Sequence, residues 1–175
     1  MHRALTRLHE VNMNVRHIIR RMLAGLTAAL VLVVGGQAFA SHYDLVDIEI
    51  VPTDVRDKLL AAGIEDTQTL LAKVLTEESR AEIVKVTGMD KAAVQELAHT
   101  LELMQVSGIG PKAARLLRLS GVESIGDLAQ RDAAQLLPDV LDANAKHAVT
   151  GIDPDELVLA DWITKAGSVP MALEL

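Results

Sequence analysis

The apolar residues of the segment Val55 to Ala166 recur at helical spacing, and no run of alternating apolar and polar residues indicates a β-strand. The apolar segments are separated by residues that favour helix starts and by glycines that favour helix ends. In the first half, Thr53 is predicted to cap a helix that extends to Ala62 and ends at Gly63. Three more helices are predicted to begin at the caps Asp66, Thr76 and Asp90, the last of them extending toward Gln105.

The second half of the chain gives a similar pattern of short helices. A helix is predicted to begin at Pro111 and to end at Gly121, and Ser124 and Asp132 are predicted to cap two short helices. Two further helix starts are predicted at Pro138 and at Asp153-Pro154, the latter for the helix that carries Trp162, and residues 167–175 are predicted to fray.

Internal repetition is a second strong signal. The stretch L-L-A-A-G-I-E-D-T-Q-T-L at Leu59 to Leu70 has the character of L-R-L-S-G-V-E-S-I-G-D-L at Leu117 to Leu128, with Gly63 and Gly121 58 positions apart. V-T-G-M-D at 86–90 returns as V-T-G-I-D at 149–153, where Gly88 and Gly151 are 63 positions apart, which predicts an insertion around Pro138 to Ala143. The sequence therefore predicts two copies of one helical unit, at about 45–103 and 104–166.

The first 40 residues have the pattern of a secretory signal peptide. Five arginines against one acid in residues 1–21 precede the apolar run Met22 to Val34, and Ala38-Phe39-Ala40 is a small-x-small cleavage site before Ser41. Met13 is an alternative start that gives a shorter leader. The rival interpretation is an uncleaved N-terminal membrane anchor over Met22 to Ala40, about 19 residues and so near the lower limit for a span. The leader predicts a bacterial protein that is periplasmic or secreted.

Removing the leader changes the charge of the protein. Residues 41–175 contain 12 Lys and Arg against 23 Asp and Glu, a formal charge of −11. A domain that binds nucleic acid usually has a basic surface, and a net negative charge repels a polyanion. Tyr43 and Trp162 are the only aromatic residues outside the leader, so the core must consist of Leu, Val, Ile and Ala. The length is typical of one compact domain or of two very small ones that share a core, and the composition predicts an all-α fold.

The segment Leu103 to Leu117, L-M-Q-V-S-G-I-G-P-K-A-A-R-L-L, fits a helix, a two-glycine hairpin and a second helix. Gly108 and Gly110 supply backbone freedom at the turn, and Pro111 suits the first position of a helix. Residues of this type in this order resemble the helix-hairpin-helix motif. The resemblance implies that the backbone N–H groups of the hairpin and a following lysine, here Lys112, hold a nucleic-acid phosphate.

Over roughly Val55 to Ala166 the chain also resembles the helix-hairpin-helix-like domain of unknown function numbered 4332. The most specific stretch is the G-I-G-P hairpin with G-V-E-S and L-A-Q-R behind it; E-S-R-A-E-I-V-K-V-T-G-M and D-W-I-T-K-A add to it. The resemblance implies tandem helix-hairpin-helix units in one compact domain, and it implies no activity. The first copy has Asp54 where the second has Lys112, which argues against phosphate binding by the first copy.

The candidate site is therefore a phosphate or anion site in the second copy, and it competes with a simpler interpretation. Lys112, Arg115 and Arg118 share one side of a helix at intervals of three residues, which suits contact with a phosphate backbone. A solvated helix face or a protein contact explains the same spacing. Glu123 and Asp127 are close enough in sequence to neutralise the charges of these cations. The candidate residues are Gly108, Ile109, Gly110, Lys112, Arg115 and Arg118.

Catalysis has little support in the sequence. His42, His99 and His147 lie on separate segments without the spacing of a zinc site, and Ser124 has helix capping as a sufficient role. Asp44, Asp47 and Glu49 lack the glycine-centred loop of a calcium site and are interpreted as a solvated segment. No enzyme activity, metal or cofactor is predicted.

The leading functional hypothesis is an exported, non-enzymatic interaction or scaffold module whose partner is a protein. The alternative is sequence-independent DNA binding through the Gly108–Gly110 hairpin, which the acidic charge disfavours. A small enzyme with a site between the repeats is a third, weaker hypothesis. No stable membrane insertion is expected once the leader is cleaved.

Overall fold

The computed structural model describes residues 42–173, and the predicted leader and its cleavage site lie outside them. The described residues form helices and no strand; their one β-bridge joins Asp44 to Asp66. The prediction of an all-α domain is confirmed. The eight described helices are α1 (Thr53–Ala61), α2 (Thr67–Ala72), α3 (Glu77–Thr87), α4 (Lys91–Leu103), α5 (Pro111–Leu119), α6 (Ile125–Leu128), α7 (Ala133–His147) and α8 (Glu156–Ala166).

Side-chain capping explains most of the helix starts. Oδ1 of Asp66 accepts a hydrogen bond from the Thr69 N–H at 2.7 Å, and Thr76 forms a capping box with Ser79. Asp90, Ser124 and Asp132 accept equivalent bonds at the starts of α4, α6 and α7. The five caps predicted at these positions are confirmed.

Three predicted helix starts are wrong. Thr53 is the first residue of α1 and Pro52 is its N-cap, without a side-chain hydrogen bond. Pro138 lies inside α7 because Asp132 already caps that helix, which continues to His147. The cap of α8 is Asp155, whose Oδ1 accepts from the Val158 N–H at 2.9 Å, whereas Asp153 lies in the loop before the helix.

Two glycines end α1 and α5 in the same way. Gly63 and Gly121 have left-handed φ angles of +75° and +82°. The carbonyl of Leu59 accepts from the N–H of Ile64, and the carbonyl of Leu117 accepts from the N–H of Val122, each at 3.0 Å. These are the hydrogen bonds of a Schellman helix end, which requires one left-handed residue and therefore favours glycine.

The predicted match between Gly88 and Gly151 is wrong. Gly88 ends α3 with a φ angle of +76°, but the left-handed residue that ends α7 is Ala148, with a φ angle of +48°. Gly151 lies three residues further on, in the loop before α8. The helix α7 that Ala148 ends has 15 residues, against 11 in α3.

One aliphatic core joins the helices. Leu59, Leu70, Leu117 and Leu128 are fully buried in it, and Trp162 is its one buried aromatic residue among the described residues. In the first half α3 packs on α1 and α4, and α2 packs on α4; in the second half α7 packs on α5 and α8, and α6 packs on α8. The two halves meet where α4 packs on α5.

Both ends of the described chain lie against this core. The N–H of Leu45 donates to the Glu65 carbonyl at 2.8 Å, and the Leu45 side chain is buried. Residues 167–173, which the sequence predicts to fray, have Val169 and Leu173 packed on the core. Apolar side chains at these two positions explain the difference, because burying them offsets the entropy of ordering the tail. None of the described helices is long and apolar enough to cross a membrane.

Candidate functional site

The predicted two-glycine hairpin lies between α4 and α5. Gly108 has a φ angle of +94°, which a residue with a Cβ adopts only under strain. A Cβ on Gly108 would also lie 3.1 Å from Nε1 of Trp162, because α8 packs directly against the turn. Ile109 is buried, and its N–H donates to the Val106 carbonyl at 3.0 Å. Ile109 therefore anchors the hairpin, and neither its side chain nor its N–H is free to contact a ligand.

Gly110 is the N-cap of α5 and is followed by Pro111 at the first helical position, as predicted. No side chain caps this helix start. A Cβ on Gly110 would lie 3.0 Å from the hydroxyl oxygen of Tyr43, so the N-terminal segment approaches the hairpin closely here. The φ angle of Gly110 is an ordinary −89°, so what favours glycine at this position is the close approach of the Tyr43 hydroxyl.

The three cations of the candidate site have different surroundings. Lys112 and Arg115 are exposed, and neither forms an ion pair or side-chain hydrogen bond with any residue that the structure describes. Arg118 is mostly buried, with 14% of its side chain exposed. Only the first two cations are therefore free to bind an anion from solution.

Arg118 holds three parts of the protein together. Its Nη2 and Nε donate to the two carboxylate oxygens of Glu96 at 2.6 and 3.1 Å, and its Nη1 donates to the carbonyls of Val122 and Glu123 at 2.8 and 2.6 Å. These bonds occupy the guanidinium, so a phosphate would have to displace them. Arg118 therefore links α4 to the turn after α5, and these bonds compete with the anion contact that the sequence predicts for it.

The acids near Arg118 in sequence have other roles. Asp127 pairs with Arg131 through two bonds of 2.9 and 3.0 Å, and Arg131 also donates to the Gly121 carbonyl at 2.7 Å. The hydrogen bonds from Arg131 hold the pKa of Asp127 below its ordinary value, and the same bonds raise the pKa of Arg131. Glu123 contributes its carbonyl and not its carboxylate to Arg118.

A large groove runs along one side of the hairpin, with a volume of about 1250 Å³. Charged side chains of both signs line it: Asp47 and Glu49 on the N-terminal segment, Glu96 on α4, and Lys112, Arg115 and Arg118 on α5. The remaining lining is largely apolar, from residues such as Ile50, Met89, Leu97, Leu119 and Val149.

A smaller cleft of about 250 Å³ adjoins this groove, and Ala113 and Thr150 line both cavities. Leu116 and Trp162 line the cleft from the core side, and Ile152, Pro154 and Val158 line it from the loop and helix above. Ile152 is 84% exposed and the neighbouring Leu157 is 80% exposed. These are the two most exposed large apolar side chains of the described chain.

Two side chains hold the loop that carries Ile152: Thr150, whose hydroxyl bonds to the backbone of Ile152, and Asn144. Asn144 on α7 donates to the Thr150 carbonyl at 3.0 Å and to Oδ1 of Asp153 at 2.6 Å, and it accepts from the Thr150 N–H at 2.9 Å. The three hydrogen bonds of the Asn144 amide fix the conformation of this loop. Neither the loop nor the cleft is predicted from the sequence. The available signal is Leu157-Val158-Leu159, because three consecutive apolar residues cannot all face one core.

The histidines do not come together. His99 is half-buried on α4, its Nε2 lies 2.9 Å from Nε2 of Gln95, and burial followed by the charge of Arg118 lowers its pKa. His42 and His147 are exposed on other segments. No group of three or more metal-ligating side chains within residues 42–173 is placed to hold a metal ion. Ser124 caps α6, and Asp44, Asp47 and Glu49 are exposed.

The described residues form an all-α domain in which a turn with Gly108 and Gly110 joins α4 to α5. The chain belongs to the family described as "Domain of unknown function (DUF4332)", whose model matches residues 50–169. No curated protein and no solved structure matches the chain.

Proposed function

We propose that the chain is an exported, non-enzymatic interaction module that binds a protein partner at the cleft beside Trp162. One observation carries this proposal: Ile152, which lines an apolar cleft, is 84% exposed, and Leu157, next in sequence to the cleft residue Val158, is 80% exposed. Exposed apolar patches that are rimmed by polar residues often mark protein-interaction sites. The hydrogen bonds of Asn144 support it further, because an ordered loop loses little entropy on binding.

Two repeated helix-hairpin-helix-like units, at about 45–103 and 104–166, are part of this proposal. The support is the matched order of elements in the two halves. Each half begins with a nine-residue helix that is followed by a left-handed glycine, and then has a short capped helix. A longer capped helix that ends in a left-handed residue comes next, and a final capped helix closes the half. The hairpin of the first unit would begin at Pro52, where the second unit has Gly110.

Export rests on the leader pattern of the sequence. We expect the mature protein to begin at Ser41, and mass spectrometry of protein from the native host is the direct measurement. Peptides that begin at Met1 or Met13 in the major species would instead favour a retained anchor.

Site-specific crosslinking tests the binding cleft. A photoreactive residue placed at position 152 should form adducts with one protein partner in living cells. The same residue at Val86, which is 40% exposed on α3, is the matched control and should not form that adduct. No adduct at position 152, or the same adducts from both positions, would reject the cleft as a binding site.

Phosphate-backbone binding is the second candidate. The observation that favours it is that Lys112 and Arg115 are exposed and unpaired, among the described residues, beside a helix start that no side chain caps. The acids that line the groove and the net charge of −11 after the leader oppose it. We expect no measurable binding to duplex DNA at physiological salt.

Fluorescence anisotropy with a labelled duplex distinguishes the two candidates. DNA binding predicts a dissociation constant tighter than about 1 μM that weakens steeply with salt and is lost in Lys112→Glu. Lys73→Glu is the matched control, because Lys73 is also exposed and forms no ion pair with the described residues. Loss of binding in Lys112→Glu alone would make DNA the favoured partner.

A further inference from the structure

We propose that folding of residues 43–45 competes with removal of the leader, so that the Ala40–Ser41 bond is cleaved only while these residues are detached from the domain. This inference rests on the proposed function, because it starts from an exported protein that is cleaved after Ala40. It is carried by the contacts that hold Tyr43 and Leu45, which lie three and five positions after Ala40.

Tyr43 is the first of the described residues with hydrogen bonds to the rest of the domain. Its N–H donates to Oγ1 of Thr67 at 3.1 Å, and its carbonyl accepts from the N–H of Thr67 at 3.0 Å. Thr67 is itself buried at the start of α2. The Tyr43 side chain extends to the hairpin, where its hydroxyl lies close to Gly110. Tyr43 is therefore held through both its backbone and its ring.

Leu45 is the second anchor of this segment. Its side chain is only 1% exposed, and its N–H donates to the Glu65 carbonyl at 2.8 Å. Asp44, between the two anchors, forms the β-bridge with Asp66. Residues 43–45 are thus bound along their backbone to residues 65–67, whereas the next side chain, Val46, is 57% exposed.

These contacts involve residues that a peptidase also needs. A peptidase holds several residues on each side of the bond that it cuts, and a segment with buried side chains and backbone hydrogen bonds is available only after it opens. Tyr43 is the third residue after the bond and Leu45 is the fifth. The rate of cleavage of a folded chain should therefore follow the fraction of molecules in which residues 43–45 are open.

An order of events follows for export. A membrane-bound signal peptidase adds water across the Ala40–Ser41 peptide bond, which leaves a carboxylate on Ala40 and an amino group on Ser41. This step comes before residues 43–45 dock on the domain. A chain in which they dock first keeps its leader. The cleaved protein and the anchored protein are then two outcomes of one competition between cleavage and folding.

Incubation of the full chain, purified in detergent with its leader attached, with purified signal peptidase tests the proposal. We expect slow release of protein that begins at Ser41. An insertion of Gly-Ser-Gly-Ser between Ser41 and His42 moves the bond up to about 13 Å away from the anchors. It leaves the contacts of Tyr43 and Leu45 in place, so it should speed cleavage at least about tenfold without unfolding the domain.

Substitutions of the anchors provide an independent check. Leu45→Ser should also speed cleavage at least about tenfold, with helix content by circular dichroism unchanged. Thr67→Ala removes the acceptor of the Tyr43 N–H and should give a smaller increase. Val46→Ser is the matched control, because Val46 is exposed in the same segment, and it should leave the rate unchanged. The insertion decides the matter if Leu45→Ser does not fold.

The two proposals fail separately. Equal rates of cleavage for the unmodified chain and the insertion variant overturn the competition, and export stands because the leader is removed. An increase in Val46→Ser as large as in Leu45→Ser also overturns it, since the effect would then not come from the anchors. If no chain is cleaved after Ala40, including the insertion variant, the cleavage site and this inference are both rejected.

Discussion

Glu96 on α4 and Arg118 on α5 form a bidentate ion pair, with N–O distances of 2.6 and 3.1 Å. The pair spans the two halves of the molecule at the place where α4 packs on α5. The same guanidinium also binds the carbonyls of Val122 and Glu123, so one side chain fixes the hairpin helices and the turn that follows them.

The two partners of this pair should differ in their importance for stability. Glu96→Gln should cost about 0.2–1 kcal/mol, because Glu96 is largely exposed and solvent screens its attraction. Arg118→Met should cost more, about 1–3 kcal/mol, since it removes the donors of two carbonyls as well as the pair. Urea denaturation of both single variants and the double variant measures the difference. Equal losses in the two single variants would contradict this role of Arg118.

Gly108→Ala should destabilise the protein by about 1–3 kcal/mol, because the residue is held at a φ angle of +94° and its Cβ would meet Trp162. Gly151→Ala is the matched control, since a Cβ there would meet no atom within 4 Å and the φ angle is not left-handed. Trp162 is the only tryptophan of the chain, so its fluorescence should change in the Gly108 variant. A Gly108 variant as stable as the control would show that the turn adapts.

Ala148→Gly should stabilise the protein by about 0.5–1 kcal/mol, because alanine has a steric cost at a φ angle of +48° that glycine avoids. Ala145→Gly, three residues earlier and exposed within α7, should destabilise it by about 0.5–1 kcal/mol. The midpoint of thermal unfolding should therefore rise in Ala148→Gly and fall in Ala145→Gly, although the chemical change is the same. A lower midpoint for both variants would be evidence against strain at Ala148.

Acid should weaken the pair between Asp127 and Arg131. The pKa of Asp127 is lower in the folded protein than its ordinary value, so its contribution to stability is complete at neutral pH and is lost as the pH falls through the folded pKa. Both side chains are about one-third exposed, which limits that contribution to about 1 kcal/mol or less. The free energy of unfolding of Asp127→Asn should approach that of the unmodified protein in acid. If the difference in free energy of unfolding between the two proteins stayed constant with pH, the effect of the substitution would not come from the charge of Asp127.

The sequence predicts helix ends well where one residue decides them. Asp66 and Gly63 act through bonds to backbone groups within a few positions, so their effect is visible in the sequence itself. Pro138 is different. Its missing N–H leaves only the Ala134 carbonyl without its helical partner, and both residues are exposed, so water can bind that carbonyl and α7 continues.

The roles within the candidate site depend on contacts that spacing does not show. Lys112, Arg115 and Arg118 have the same charge and regular spacing, but only Arg118 reaches an acid on α4, 22 positions earlier in the chain. Ile152 lies in a loop whose Thr150 is bonded to Asn144 on α7, a contact that the sequence does not predict. These distinctions come from tertiary packing, which one sequence does not reveal.

The packing of α4 on α5 also bears on how the molecule can be divided. Leu101, Leu103, Met104, Val106 and Ile109 are all buried around the hairpin. A fragment that stops within this segment would expose apolar side chains from both sides of the cut. The buried residues around the hairpin therefore belong to the cores of both halves. A natural or engineered version with one unit would need polar residues at these positions to remain in solution.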